Sequence, residues 1–213
     1  MIETYDNLDA LPSNLRIYGA SDYATMAAEV GKAEPDKTEH GIVGVDTIGD
    51  LWFIDWWTGV EETDVSIAAF IRLVGLWKPA NWFHEGGLID KAIAPAIRHA
   101  MRLNRKYVAM TALPMMKDKS VKLQAFHARA TAGCIHFPVR RRWAEEVIDQ
   151  LVRFPGGRWD DKADVCGLIG RAVDEMHEAH VPLVQKRHIL VPFSQEWLEW
   201  NDGSGKPAVK FFP

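Results

Sequence analysis

The sequence predicts an α/β fold: a mixed central sheet flanked by helices. Two observations carry that expectation. Short runs rich in Val, Ile, Phe, Tyr and Trp recur along the chain, and beyond residue 60 they alternate with segments of helical periodicity. The first three runs follow one another with no helix between them, which suits an antiparallel meander, whereas later strands must enter through crossovers.

The elements follow in order. Residues 15–21 (LRIYGAS) read as a strand ending at Asp22, and residues 29–40, with Gly31 and Pro35, read as a loop. GIVGVDTIGDLWFIDWW is then a hairpin turning at Ile48-Gly49-Asp50. Thr63-Asp64 opens an amphipathic helix that stops near Pro79. NWFHE is a short strand, Leu88 to Asn104 a helix, and KYVAMTAL another strand. Lys119 to Ala132 is a helix closed by Gly133, CIHF a strand, and Arg141–Val152 and Lys162–His177 are the closing helices.

Composition sets the bounds. A chain of 213 residues with 47% hydrophobic and 25% charged residues is long enough, and apolar enough, for a real core. Cys134 and Cys166 form no CxxC pair, which argues against a thiolate zinc site and against a disulfide framework. The acidic N-terminus has no apolar signal-peptide core, and the most apolar stretch, SIAAFIRLVGLW, is interrupted by Arg72 and too short for a bilayer. No membrane partner is expected, and the chain reads as intracellular.

Charge is unevenly spread. The net charge is −4, yet residues 98–142 hold eleven Lys and Arg against the single acid Asp118. That window carries +10 and the remainder −14, the pattern of a footprint for a polyanion such as DNA. Its centre is Lys117, Lys119, Lys122 and Arg129 along one helix, followed by Arg140, Arg141 and Arg142. Lys and Arg in such a stretch neutralise phosphates and hold a nucleic-acid backbone in register.

Four carboxylates stand at the ends of apolar runs: Asp22 in RIYGASDYA, Glu85 in ANWFHEGG, and Asp160 with Asp161 in RFPGGRWDDKAD. Taken singly, each is an ordinary turn or helix-start residue. Delivered together to one sheet edge, they would raise one another's pKa, a cost that hard divalent cations with oxygen ligands remove. Asp164, three residues after Asp161, shares its helix face and can serve as a further ligand. A phosphate-cradling GxxxxGK[ST] loop is absent: GSGK at 203–206 is followed by Pro207. No ATP hydrolysis is expected.

The order of strands and helices, with these acids, resembles the ribonuclease H-like nuclease fold. More closely it resembles the C-terminal nuclease domain of phage terminase large subunits, the DNA-packaging motor. The matching pieces are RIYGASDYA, Asp36-Lys37-Thr38, GDLWFIDWW, HEGG, DKSVKLQAFHARATAGCIHFP and RFPGGRWDDKAD, spanning roughly residues 15–178. On this resemblance residues 1–14 are a linker remnant, 15–178 the nuclease domain and 179–213 a tail with little family signal. It implies a Mg²⁺- or Mn²⁺-dependent endonuclease that cuts concatemeric viral DNA during packaging, with two ions roughly 4 Å apart driving an in-line displacement. Asp22, Glu85 and Asp161 are then the catalytic residues and metal ligands, Asp22 bridging and Asp160 assisting. The implied partners are double-stranded DNA, the portal protein and the small terminase subunit. The implied location is the host cytoplasm, transiently at the procapsid portal. A junction resolvase or transposase-like nuclease of the same fold, and a non-catalytic docking domain, are the alternatives.

Overall fold

The computed structural model describes residues 2–24, 37–60, 62–116, 118–154, 156 and 160–179, all within one compact unit, Met1–Val181. Among the described residues seven strands form one mixed sheet: β1 (Glu3–Tyr5), β2 (Arg16–Asp22), β3 (Thr38–Val45), β4 (Leu51–Gly59), β5 (Asn81–Glu85), β6 (Ala109–Leu113) and β7 (Ile135–Pro138). Their spatial order is β1-β7-β4-β3-β2-β5-β6. The described helices that cover it are α1 (Thr63–Trp77), α2 (Leu88–Asn104), α3 (Lys119–Thr131), α4 (Arg142–Arg153) and α5 (Asp161–Ala172). Among the described residues no helix is long and apolar enough to cross a membrane.

The meander is present as expected, with β2 antiparallel to β3 and β3 antiparallel to β4. β5, β6 and β7 join in parallel through helical crossovers. Within residues 1–14, expected as a linker remnant, Glu3–Tyr5 forms an edge strand, and this β1 runs parallel to β7. Tyr5 explains why this segment is held, because its ring is buried and its hydroxyl donates to the Phe53 carbonyl at 2.6 Å. The acidic neighbours of Tyr5 masked that anchor in the sequence.

The sheet divides the core into two layers, because successive side chains of a strand point to opposite faces. On one face Tyr18, Val43, Phe53 and Phe83 pack against Phe126 of α3, Val147 of α4 and Leu168 and Ile169 of α5. On the other, Ile42, Ile54 and Trp82 meet Phe70 and Leu73 of α1 and Ile97 of α2. All of β3 is buried, as expected of a central strand sandwiched on both sides. Helix α1 ends at Trp77 with Lys78 in the left-handed region (φ 48), just before Pro79. Thr63, expected as its cap, is instead its first residue.

A polar relay crosses the α1 layer. His40 Nδ1 lies 2.7 Å from the Ser21 hydroxyl, Trp82 Nε1 donates to the same hydroxyl at 2.7 Å, and His40 Nε2 is 3.0 Å from the Ser66 carbonyl. The carbonyl can only accept, so Nε2 carries the ring proton. Full burial pushes the His40 pKa down to about 4. Above pH 6.5 His40 is neutral in both states. As pH falls toward 4 the unfolded chain takes up the proton first, so stability is lost across that window, by up to about 3 kcal/mol. A His40→Gln variant, weaker at pH 7, should lack this contribution, so urea unfolding of both proteins at pH 7 and pH 5 should show wild type losing more stability, or gaining less, than the variant.

Candidate active site

Strand alternation places two of the predicted acids together. Tyr18 and Ala20 of β2 face the α3–α5 layer, and Asp22 continues that series to the end of the strand. On β5, Phe83 faces the same layer, and Glu85 follows it two residues on. β2 and β5 are parallel neighbours with Ser21 opposite His84, so Asp22 and Glu85 occupy the next position of each strand at one edge of the sheet. Helix α5 brings Asp161 and Asp164 in its first turn and packs on β2, β3 and β5.

The electrostatics of Asp22 report this convergence. Burial first, then the charges of Asp164, Asp161 and Glu85, push its carboxyl up to about 8, while the Lys122 ammonium works in the opposite direction. Lys122, on α3, donates to Glu85 Oε2 at 3.3 Å and lies 3.2 Å from Asp164 Oδ1. Burial alone would lower the Lys122 pKa, but Asp164, Asp22 and Glu85 together raise it. Glu85 is also held by Arg171 of α5, whose NH1 donates to Oε1 at 3.1 Å, and by the Met116 backbone N–H at 3.3 Å. Arg171 further donates to the Pro114 carbonyl, which ties the end of α5 to the loop after β6.

The close approach of α3 that delivers Lys122 depends on two glycines of α5. A Cβ on Gly167 would lie 3.0 Å from the Lys122 carbonyl oxygen, and one on Gly170 would lie 2.6 Å from the Phe126 nitrogen. Only residues without side chains allow the two helix backbones so near.

Asp164 joins the predicted acids at this edge. Asp22, Glu85 and Asp161 converge. Asp160 precedes the helix at its N-cap position and makes no side-chain capping bond there. Asp164 shares the helix face of Asp161, because positions three apart on a helix lie together, and its charge acts on Asp22.

Two of the residues expected to contact DNA have partners within the chain. Lys122 is buried among the acids, so it faces the carboxylates rather than an external phosphate. Arg129 lies farther along α3 and donates to the Gly49 carbonyl at 2.8 Å, in the β3–β4 turn. That turn is at the sheet edge opposite Asp22, since Asp22 pairs with Glu39 and Arg16 with Val45. Lys117 and the side chain of Lys119 lie outside the described residues. Arg140, Arg141 and Arg142 are exposed at the end of β7 and the start of α4. Arg142 Nε donates to Glu146 at 2.9 Å, and Glu146 in turn is 3.6 Å from Lys162, the residue after Asp161. Asp118, the lone acid of the basic window, caps α3 by accepting from the Ser120 and Val121 N–H groups.

The donor set is four carboxylates and nothing softer, which fits hard divalent cations such as Mg²⁺ or Mn²⁺. Burial first, and then the neighbouring carboxylates, raise the Asp22 pKa, and a bound cation would favour its ionised form. Among the described residues no three acidic, histidine or cysteine side chains stand close enough together to hold a cation as they are placed; the Lys122 ammonium bridges two of them.

This architecture and acidic edge define the ribonuclease H-like fold class. Within that class the chain is similar in structure to large terminase nucleases. One is that of thermophilic phage G20c with bound magnesium, at 15% identity and a TM-score of 0.51, covering 75% of this chain and 82% of that one. The same phage's nuclease with bound cobalt gives 15% identity and a TM-score of 0.52 over 74% of this chain and 81% of that one. The large terminase nuclease domain of Thermus phage P74-26 matches at 13% identity and a TM-score of 0.50, covering 78% of this chain and 84% of that one. No protein-family model matches the sequence, and no curated protein matches it by sequence.

Proposed function

We propose that this chain is a divalent-metal-dependent endodeoxyribonuclease that cuts concatemeric viral DNA during genome packaging. The observation that carries the reading is the placement of Asp22 and Glu85 at the ends of neighbouring parallel strands, with Asp161 and Asp164 in the first turn of the helix packed on them. The fold likeness to large terminase nucleases supports it. Asp22, Glu85, Asp161 and Asp164 would hold two Mg²⁺ or Mn²⁺ ions, with Asp160 flanking them. Such ions supply activation of the attacking water and stabilisation of the leaving 3′-oxygen in phosphodiester hydrolysis.

The remaining residues orient and neutralise. Arg140, Arg141 and Arg142 present exposed guanidinium groups that hold DNA phosphates in register without reading bases. Arg171 and the Met116 N–H fix the Glu85 carboxylate. Lys122 offsets the mutual repulsion of the acids in the metal-free state and leaves less uncompensated charge on Asp164 and Glu85. In this reading the portal protein and the small terminase subunit direct the cut, at the procapsid in the host cytoplasm.

The test is incubation of supercoiled plasmid with the chain and Mn²⁺, with and without EDTA. Nicking that EDTA abolishes is expected, and no nicking in Mn²⁺ or Mg²⁺ would leave the docking-domain alternative. Cleavage confined to four-way junctions would favour the resolvase alternative. Charge reversal at Arg140, Arg141 and Arg142 should weaken binding to any DNA sequence alike. Each lost phosphate contact should reduce the slope of log K against log salt by about 0.9. An unchanged slope removes these arginines from the interface.

A further inference from the structure

Directly beside the acidic edge lies a second charged group that neither the nuclease chemistry nor phosphate binding uses. Glu39 of β3 pairs with Asp22 across the sheet, and Lys162 follows Asp161 on α5. Both are deeply buried, at 0% and 3% relative exposure. Lys162 Nζ donates to both Glu39 oxygens, at 3.0 and 3.1 Å. Trp56 Nε1 and the Thr58 hydroxyl each donate to Glu39 Oε2 at 2.6 Å, and Thr58 accepts from Lys162. The ammonium also lies 6.0 Å from the Trp56 ring centroid. Every one of these partners of Glu39 is a donor, which suits an ionised carboxylate.

Stability does not account for such a pair. Desolvating two charges costs about what their attraction returns, and apolar residues of similar shape commonly do as well or better. Its placement does account for it. One member sits at the strand position facing Asp22, and the other is one residue from Asp161. Between them they pin the first turn of α5 to β3 and β4. That turn carries Asp161 and Asp164, which must stand beside Asp22 and Glu85 if one cation is to be shared among them.

We infer that Glu39 and Lys162 are positioning residues that hold the first turn of α5, with Asp161 and Asp164, at cation-binding separation from Asp22. The inference rests on the nuclease reading above, since it concerns the same metal site.

The test compares the whole wild-type chain with the double variant Glu39→Gln/Lys162→Met, which leaves no lone buried charge. Metal-free melting temperature, Mn²⁺ binding by calorimetry and plasmid nicking are measured on both. The double variant should melt within a few degrees of wild type without metal, yet need about 10–100-fold more Mn²⁺ for half-saturation, the usual cost of losing support behind a ligand. Nicking should recover at high Mn²⁺, because the ligands themselves remain. A purely structural pair would change the metal-free melting temperature and leave Mn²⁺ half-saturation unchanged, which overturns the inference. Thr58→Val, which keeps both charges but removes the hydroxyl between them, should shift half-saturation in the same direction by a smaller factor. It decides the matter if the double variant does not fold, and no shift counts against the inference. A wild type that neither binds Mn²⁺ nor nicks DNA sinks the nuclease reading itself, and the inference with it.

Discussion

Replacing Asp22 with asparagine is expected to stabilise the metal-free protein at pH 8 while abolishing its response to Mn²⁺. In the folded chain Asp22 holds its proton up to about pH 8, against an ordinary value of 3.8. Between those values the folded state binds the proton more tightly than the unfolded state. The group therefore contributes stability that is fully present below about pH 4 and is lost as pH rises through 8. Asparagine keeps the shape and cannot ionise, so Asp22→Asn should show no such loss. At pH 8 it should exceed wild type by on the order of 3 kcal/mol, a figure that allows for partial hydration of the site. In a chain of this size that is about 5–10 °C in melting temperature. His40 acts in the opposite sense below pH 6.5, so the comparison is cleanest between pH 7 and 8.

The metal response separates this outcome from a merely structural one. Wild type should gain melting temperature on addition of Mn²⁺ by binding linkage. Asp22→Asn should gain little and should not nick plasmid, because the amide loses the charge that retains a divalent cation. Equal gains in both proteins would remove Asp22 from the ligand set.

The second large effect is expected at Gly170. An alanine there would place its Cβ 2.6 Å from the Phe126 nitrogen and 2.9 Å from its Cα. Those are backbone atoms of α3, which cannot rotate away as a flexible side chain can. Relief requires α3 to move off α5, at a cost of about 1–3 kcal/mol plus any loosening of the Phe126 contacts. Because Lys122 rides on α3, the same shift should withdraw its ammonium from Glu85 and Asp164. Gly170→Ala should therefore lower the melting temperature and also change the Mn²⁺ concentration at half-response. Gly156→Ala serves as the control, since its nearest neighbour would be 3.7 Å away. A Gly170→Ala protein as stable as that control would show that the helices tolerate a wider separation.

Local pattern in the sequence was enough for much of the fold and part of the site. Hydrophobic periodicity of two and of about 3.6 set the strand and helix types. The uninterrupted succession of β2, β3 and β4 implied the meander. Apolar runs ending in Asp22 and Glu85 marked strand ends, and both proved to share one edge, because period-two alternation is a local property that survives folding. The three-residue spacing of Asp161 and Asp164 was equally readable as a shared helix face.

Tertiary structure alone decided the rest, because burial of a charged side chain is a property of its surroundings rather than of its neighbours in sequence. Lys122 and Arg129 look alike in a basic helix, yet one points into the acids and the other into the β3–β4 turn, since α3 runs from one sheet edge to the other. Lys162 reads as a solvated residue beside two aspartates, and only the packing of α5 on β3 brings it to Glu39, 123 positions away in sequence. Glu3–Tyr5 is too short to announce itself as a strand, and its edge position depends on β7, which lies far along the chain. Asp160 and Asp161 are chemically identical neighbours; the point at which α5 begins makes Asp160 the residue before the helix and places Asp161, with Asp164, in the first turn, where both charges act on Asp22.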